Sequence, residues 1–155
     1  MTTLTNRERI HALLNNLNEA QADGVTHMNG PLLLLAGPGS GKTRCITNRI
    51  GMLLEHGVSP YSILAVTFTN KAAAEMKERV KTLTKGNYAL PTICTFHSFC
   101  VQLLRRHIPL ASPERTTSFS IYDTGDSEKA IRQAIKELGF DPKFWKVGDM
   151  RNAIS

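Results

Sequence analysis

The chain has 155 residues, 41% of them hydrophobic and 21% charged, a composition that suits a globular core and excludes a disordered polypeptide. Nineteen Lys and Arg against 13 Asp and Glu leave a net charge of +6, which favours a polyanionic partner such as nucleic acid. The longest apolar run, residues 32–36, is far too short to span a bilayer, so no membrane partner is expected.

Residues 1–16 read as a polar lead-in with a short helix at 8–14. Residues 18–27 have helical composition. Pro31 then introduces "LLLLA", an apolar run of the kind that forms a buried parallel strand. A glycine loop, "AGPGSGKT" at 36–43, follows it. Ile46, Ile50, Leu53 and Leu54 recur at i, i+4, i+7 and i+8, one face of a helix that Gly57 would stop. "ILAVTF" at 63–68 reads as a second strand, and Ala73, Met76, Val80 and Leu83 mark the next helix. The alanines at 72–74 fit close packing of that helix on a sheet. "TICTF" at 92–96 reads as a third strand, and Phe99, Leu103 and Leu104 as a helix ended by Pro109. Residues 109–120, rich in Pro, Ser and Thr, look like a connector. After "FSIYD", Ala130, Ile131, Ala134, Ile135 and Leu138 form a regular helical stripe closed by Gly139. The last stretch, "FDPKFWKVGDMRNAIS", has aromatic bulk but no completed unit, and fraying is expected there. Strands alternating with helices predict an α/β fold, a parallel sheet wrapped by helices.

Charge gathers in one region. Lys71, Lys77, Arg79, Lys81, Lys85, Arg105 and Arg106 face only Glu75 and Glu78 between residues 71 and 106. Cys45, Cys94 and Cys100 are odd in number and lack CxxC spacing, which argues against disulfides or a zinc site and fits a reducing cytoplasm. The N-terminus has no long apolar core of a secretory leader.

The glycine loop matches the G-x-x-x-x-G-K-[ST] pattern, with Ala36 in its first position. Gly37, Gly39 and Gly41 let the backbone turn its N–H groups toward phosphate oxygens, and the following helix adds its positive end. Lys42 can reach the β- and γ-phosphates, and the Thr43 hydroxyl can ligate Mg²⁺.

Three more segments agree with the loop in order and interval: "LNEAQADGV" before it, "AVTFTNKAAAEM" after it, and "CTFHSFC" third. Together they resemble the N-terminal ATP-binding domain of superfamily 1 DNA helicases of the UvrD/Rep/PcrA type, over about residues 17–154. The resemblance implies a P-loop NTPase (RecA-like) parallel sheet flanked by helices, with the start of a helical inserted subdomain. It divides the chain into a lead-in at 1–16, a partial RecA-like domain at 17–108, and a connector with the start of the helical subdomain at 109–155. It implies ATP and Mg²⁺ as cofactors. Gln21 would read the adenine edge, since an amide both donates and accepts. Ala36, Gly37, Pro38, Gly39, Ser40, Gly41, Lys42, Thr43 and Arg44 would hold the nucleotide, with Lys42 and Thr43 nearest the chemistry. Gly24 stands where the family often has alanine. Thr67, Phe68, Thr69, Asn70 and Lys71, with Thr95, His97 and Ser98, would meet single-stranded DNA or a junction with duplex. Phe68 would stack a base there, while Phe96 and Phe99 read as core.

Hydrolysis in P-loop enzymes also needs a carboxylate on another strand to hold the metal. The family's apolar strand running into Asp-Glu has no counterpart, since no Asp-Glu pair occurs in the sequence. Asp123, after Ile121 and Tyr122, is the one acid on a comparable run, but the resemblance places the family's pair elsewhere. The resemblance therefore implies the front portion of a longer ATP-dependent helicase, an ATP hydrolase moving 3′ to 5′ on single-stranded DNA in repair or replication. The competing expectation is a standalone ATP- or DNA-binding module, working alone or with a chain that carries the missing motor domain. A small-molecule kinase would explain the glycine loop but neither "TFTNKAA" nor "TFHS".

Overall fold

The computed structural model describes residues 5–154, which fall into two compact units divided between Leu103 and Leu104. In the first unit, α1 (Asn6–Leu14) starts at a capping box: the Thr5 side chain accepts the Glu8 N–H and the Glu8 carboxylate takes the Thr5 N–H. The same device, built from Asn18 and Gln21, starts α2 (Glu19–Thr26). The longer α3 (Lys42–Glu55) begins at Gly41, whose φ of 87° lies in the left-handed region open to glycine.

α3 partitions the core. On one side Ile50 and Leu54 pack with Ile63, Ala65, Met76, Val80 and Ile93. On the other, Cys45 and Met52 meet Leu13 and Val25. The lead-in helix is thus docked rather than solvated. Leu13 is buried, its carbonyl accepts Asn48 Nδ2 at 3.0 Å, and a Cβ on Gly51 would come within 2.8 Å of Leu13 Cδ2.

The end of α3 is fastened to α1 by one carboxylate. Glu55, buried, accepts at Oε2 from Arg9 Nε (2.8 Å), Asn6 Nδ2 (3.2 Å) and Tyr88 Oη (2.9 Å). Burial pushes the Tyr88 phenol up, and its hydrogen bond to Glu55 pushes the same way. Glu55→Ala should lower unfolding stability by about 3 kcal/mol, because removing one partner strands the donors and the guanidinium charge. Glu55→Gln should recover part of the loss. Paired denaturant melts check both, and an unchanged midpoint for Glu55→Ala would refute the assignment.

The sheet among the described residues has two strands, β1 (Leu64–Thr67) and β2 (Thr92–Thr95), parallel and in register from Leu64↔Thr92 to Thr67↔Thr95. The crossover between them is α4 (Asn70–Leu83), which buries Ala73, Met76 and Val80 as its sequence stripe requires. The strand expected at 32–36 is not formed. That run bonds to neither β1 nor β2, and a strand without a ladder is only extended chain. Its side chains still alternate, with Leu33 and Leu35 at 80% and 88% exposure against 40% and 38% for Leu32 and Leu34. Leu34 turns onto α2, where a Cβ on Gly24 would lie 2.7 Å from its Cδ2. Glycine costs that helix about 1 kcal/mol of propensity, and here it makes room for the leucine.

α5 (Phe96–Ala111) does not stop at Pro109 but runs through it and closes with Ser112 N–H on the Ile108 carbonyl at 2.9 Å. Proline in a last turn forfeits a single backbone bond, which this helix tolerates.

In the second unit, α6 (Thr124–Glu137) is capped by Asp123, whose carboxylate accepts the Asp126 N–H at 2.8 Å. Of the expected apolar stripe only Ile135 is buried. The frayed end expected after Gly139 is instead built. Phe140 N–H returns to the Ile135 carbonyl, and the Asp141 carbonyl accepts from Phe144 and Trp145. The Asp141 side chain takes the Lys143 N–H at 2.9 Å, an Asx turn that leads into α7 (Val147–Ile154). Arg151 pairs with Glu128 at 2.9 Å and joins α7 to α6.

Candidate functional site

The glycine loop is closed by its own side chains. Gln21, third residue of α2, donates from Nε2 to the Ser40 carbonyl at 2.9 Å and accepts the Asn18 N–H at 3.1 Å. Glycine suits Gly41 for its left-handed backbone angle, and a Cβ there would stand 3.0 Å from that Nε2 and push the amide aside. Ser40 Oγ donates to the Gly37 carbonyl at 2.7 Å. Lys42 Nζ donates to the carbonyls of Ala36 (3.0 Å) and Gly37 (2.7 Å).

These groups border a cavity of about 350 Å³, with Asn18, Gln21, Leu34, Ala36, Ser40 and Lys42 among its walls. Its lining residues include no carboxylate. Pro38 and Gly39 form the exposed turn, and added Cβ atoms at Gly37 and Gly39 would meet nothing within 4 Å. A cationic Nζ, the N-terminal N–H groups of α3 and an open glycine turn are donors for an anion of phosphate shape. Thr43 is exposed beside Lys42. Arg44 goes elsewhere: its Nη1 donates to the Asn16 carbonyl at 3.3 Å, and it lines a separate hollow with Thr47, Glu78 and Arg79. Among the described residues no cluster of three or more His, Cys, Asp or Glu could hold a metal ion.

The second group of residues gathers at the C-terminal ends of the strands. Each strand ends on a threonine, Thr67 or Thr95, and a phenylalanine follows, Phe68 or Phe96. Since Thr67 pairs with Thr95, the next residue on each chain must be a neighbour. The Phe68 and Phe96 rings accordingly lie 5.8 Å apart at 50°. Phe68 is 88% exposed and Phe96 48%, so Phe96 belongs to the surface and not to the core expected for it. The lost signal was its position: at the first residue of α5 strand alternation has already ended.

Thr69 caps α4 by accepting the Ala72 N–H at 3.1 Å. Thr95 accepts the Ser98 N–H at 3.2 Å and donates to Ser98 Oγ at 2.9 Å, so these two hydroxyls hold each other. Lys71 and His97 are exposed. Asn70, Lys77, Thr95, Ser98 and Gln102 line a hollow of about 380 Å³. Lys77 was read from sequence only as part of the basic cluster and Gln102 not at all, although i+7 from Asn70 and i+4 from Ser98 would have placed them on the same faces.

The UvrD/REP helicase N-terminal domain family model matches residues 17–155. The chain is 46% identical over 147 residues to the ATP-dependent DNA helicase PcrA of Staphylococcus aureus (strain Mu50 / ATCC 700699), covering 94% of this chain and 20% of that protein. It is 50% identical over 144 residues to the protein of the same name from Bacillus subtilis (strain 168), covering 92% of this chain and 19% of that one. It thus spans about a fifth of the length of the curated relatives it matches. No helix among the described residues is long and apolar enough to cross a membrane. The matched span takes in the glycine loop and both Thr-Phe strand ends, and the chain belongs to the UvrD/REP helicase N-terminal domain family.

Proposed function

We propose that this chain supplies the ATP-binding loop and part of the single-stranded DNA track of an ATP-dependent DNA helicase. In a protein with the remaining sequence that its relatives carry, these parts would couple ATP hydrolysis to 3′-to-5′ translocation and unwinding. The observation that carries the reading is the pairing of Phe68 with Phe96 at adjacent strand ends, in a chain whose relatives are named DNA helicases. The P-loop (RecA-like) assignment rests on the loop sequence and on the donors around Lys42.

Each residue has a task in this reading. Backbone N–H groups of Gly37 and of residues 39–43, with Lys42 Nζ, hold the phosphates, so Lys42 leaves the Ala36 and Gly37 carbonyls when nucleotide enters. The Thr43 hydroxyl is the donor this chain offers to Mg²⁺, and a metal-holding carboxylate is not among the cavity's walls. Bound ATP-Mg supplies the phosphoanhydride whose cleavage drives movement. Phe68 stacks a base, and Thr67, Thr69, Asn70, Lys71, Thr95, His97 and Ser98 hold the strand. Asp123 is left to cap α6.

Gln21 reads adenine by exchanging its bond to the Ser40 carbonyl for one to the base. Gln21→Glu keeps the capping acceptor of α2 and removes the donor. Its added charge should weaken both nucleotides, and ATP about tenfold more than GTP, one net hydrogen bond's worth of selectivity. Equal losses for both nucleotides would refute the adenine assignment. The whole reading is tested by equilibrium titration of the 155-residue chain with ATP and with oligo(dT). Folded chain that binds neither would overturn it.

A further inference from the structure

The second unit carries a groove whose lining includes none of the motif residues. It holds about 540 Å³ and lies between α6 and the turn before α7. Lys129, Arg132 and Lys136 recur at i, i+3 and i+7 along its α6 edge, with Ile135 between them and Trp145 opposite. Ile135 is buried and makes the floor, and Trp145 stacks on Phe140 with centroids 5.0 Å apart at 21° while remaining 43% exposed.

The charges there are not spent internally. No carboxylate is among the lining residues. Lys129 leans toward Asp126 at 3.6 Å, but among the described residues neither Arg132 nor Lys136 forms an ion pair. The acids of α6 are engaged away from them: Glu128 with Arg151, and Glu137 with Gln133 Nε2 at 2.7 Å. A ligand suited to this groove has a flat π-face for the indole and an anionic group a few ångströms away for the cations. A nucleotide unit has both, and base stacking beside a basic edge is the way single strands are held without sequence preference. An acidic peptide would satisfy the cations and leave the indole unused.

We propose that the groove of α6 and Trp145 is a second binding site for a nucleotide unit of single-stranded nucleic acid, its base on Trp145 and its phosphate at Arg132 and Lys136. It shares no lining residue with the strand-end site and does not depend on Phe68.

Trp145 is the sole tryptophan of the chain, so its emission reports on the groove directly. Oligo(dT) should quench it saturably, in step with the anisotropy of the same oligonucleotide carrying a label. The double variant R132E/K136E, shown folded by circular dichroism, should raise the midpoint of quenching at least tenfold, and the milder R132Q/K136Q should raise it less. An abasic oligonucleotide should bind without quenching. Quenching by dTMP to the same extent at higher concentration would point to a free nucleotide as the source, and quenching by oligo(dT) alone to a strand. In Phe68→Ala the quenching should survive even as total affinity falls. Anisotropy binding with unchanged tryptophan emission, equal quenching by the abasic strand, or a midpoint indifferent to R132E/K136E would each overturn the proposal. So would loss of quenching in Phe68→Ala, which would trace the signal to the strand-end site.

Discussion

Lys42→Ala should reduce ATP affinity by one to two orders of magnitude and leave the melting temperature where it was. The two halves of that expectation have separate causes. A charge-assisted hydrogen bond from an ammonium to a phosphate contributes about 1.5–3 kcal/mol, or roughly ten- to a hundredfold in affinity. The folded chain loses little, because Lys42 Nζ is exposed and bonds only to the Ala36 and Gly37 carbonyls, which water can satisfy in its place. Those same bonds set the expected value toward the lower end of that range. Nucleotide must displace them, so part of the gain on binding goes to replacing contacts already made. Lys42→Arg should rescue only in part, since a planar fork does not reproduce the compact point charge that a lysine ammonium sets among phosphate oxygens. Titration with a fluorescent ATP analogue, beside a thermal melt, reads both quantities. An affinity within threefold of the parent would exclude Lys42 from the phosphate site.

The elements whose periodicity was set by neighbours inside the chain were legible in the sequence. The Ala73, Met76 and Val80 stripe of α4 and the apolar strands at 63–68 and 92–96 meet each other, and all formed. The run at 32–36 was legible as apolar and not as a strand, because strand identity resides in a ladder that no described segment offers it. Lead-in residues looked polar one at a time. Their docking depends on Leu13, with Ile10 and Leu14 packed beside it, and on a carboxylate at Glu55, 46 residues from Arg9, a distance that no local pattern spans. Pro109 stopped the expected helix at a place where the helix was already ending.

The site divides along the same line. The glycine loop was proposed from its own consecutive residues, and Phe68 from the resemblance of the segment around it to a family motif. Phe96 could not be found in this way, because its place beside Phe68 follows from the Thr67↔Thr95 register, a property of two strands and not of either. Trp145 was read as bulk without a surface, and its stacking on Phe140 depends on the Asp141 turn that brings the two together.

Phe68→Ala should weaken binding of oligo(dT) by about five- to a hundredfold at fixed salt, the range of 1–3 kcal/mol that one stacked base contributes. The ring is 88% exposed, so its removal costs the core nothing, and any loss reports on the ligand. Phe96→Ala should cost less, because that ring keeps only 48% of its surface free and serves Phe68 as a lateral support at 5.8 Å. The double variant should fall short of the summed losses, since each ring contributes partly through the other. Lys71→Ala separates stacking from charge. It should lower affinity modestly and reduce the slope of log K against log salt by close to one counterion, whereas Phe68→Ala should leave that slope unchanged. The two variants must differ in this respect if the strand ends bind nucleic acid as argued. A salt slope altered by Phe68→Ala, or an affinity indifferent to it, would mean that the bases stack elsewhere and that the exposed Thr-Phe pair faces another part of the protein.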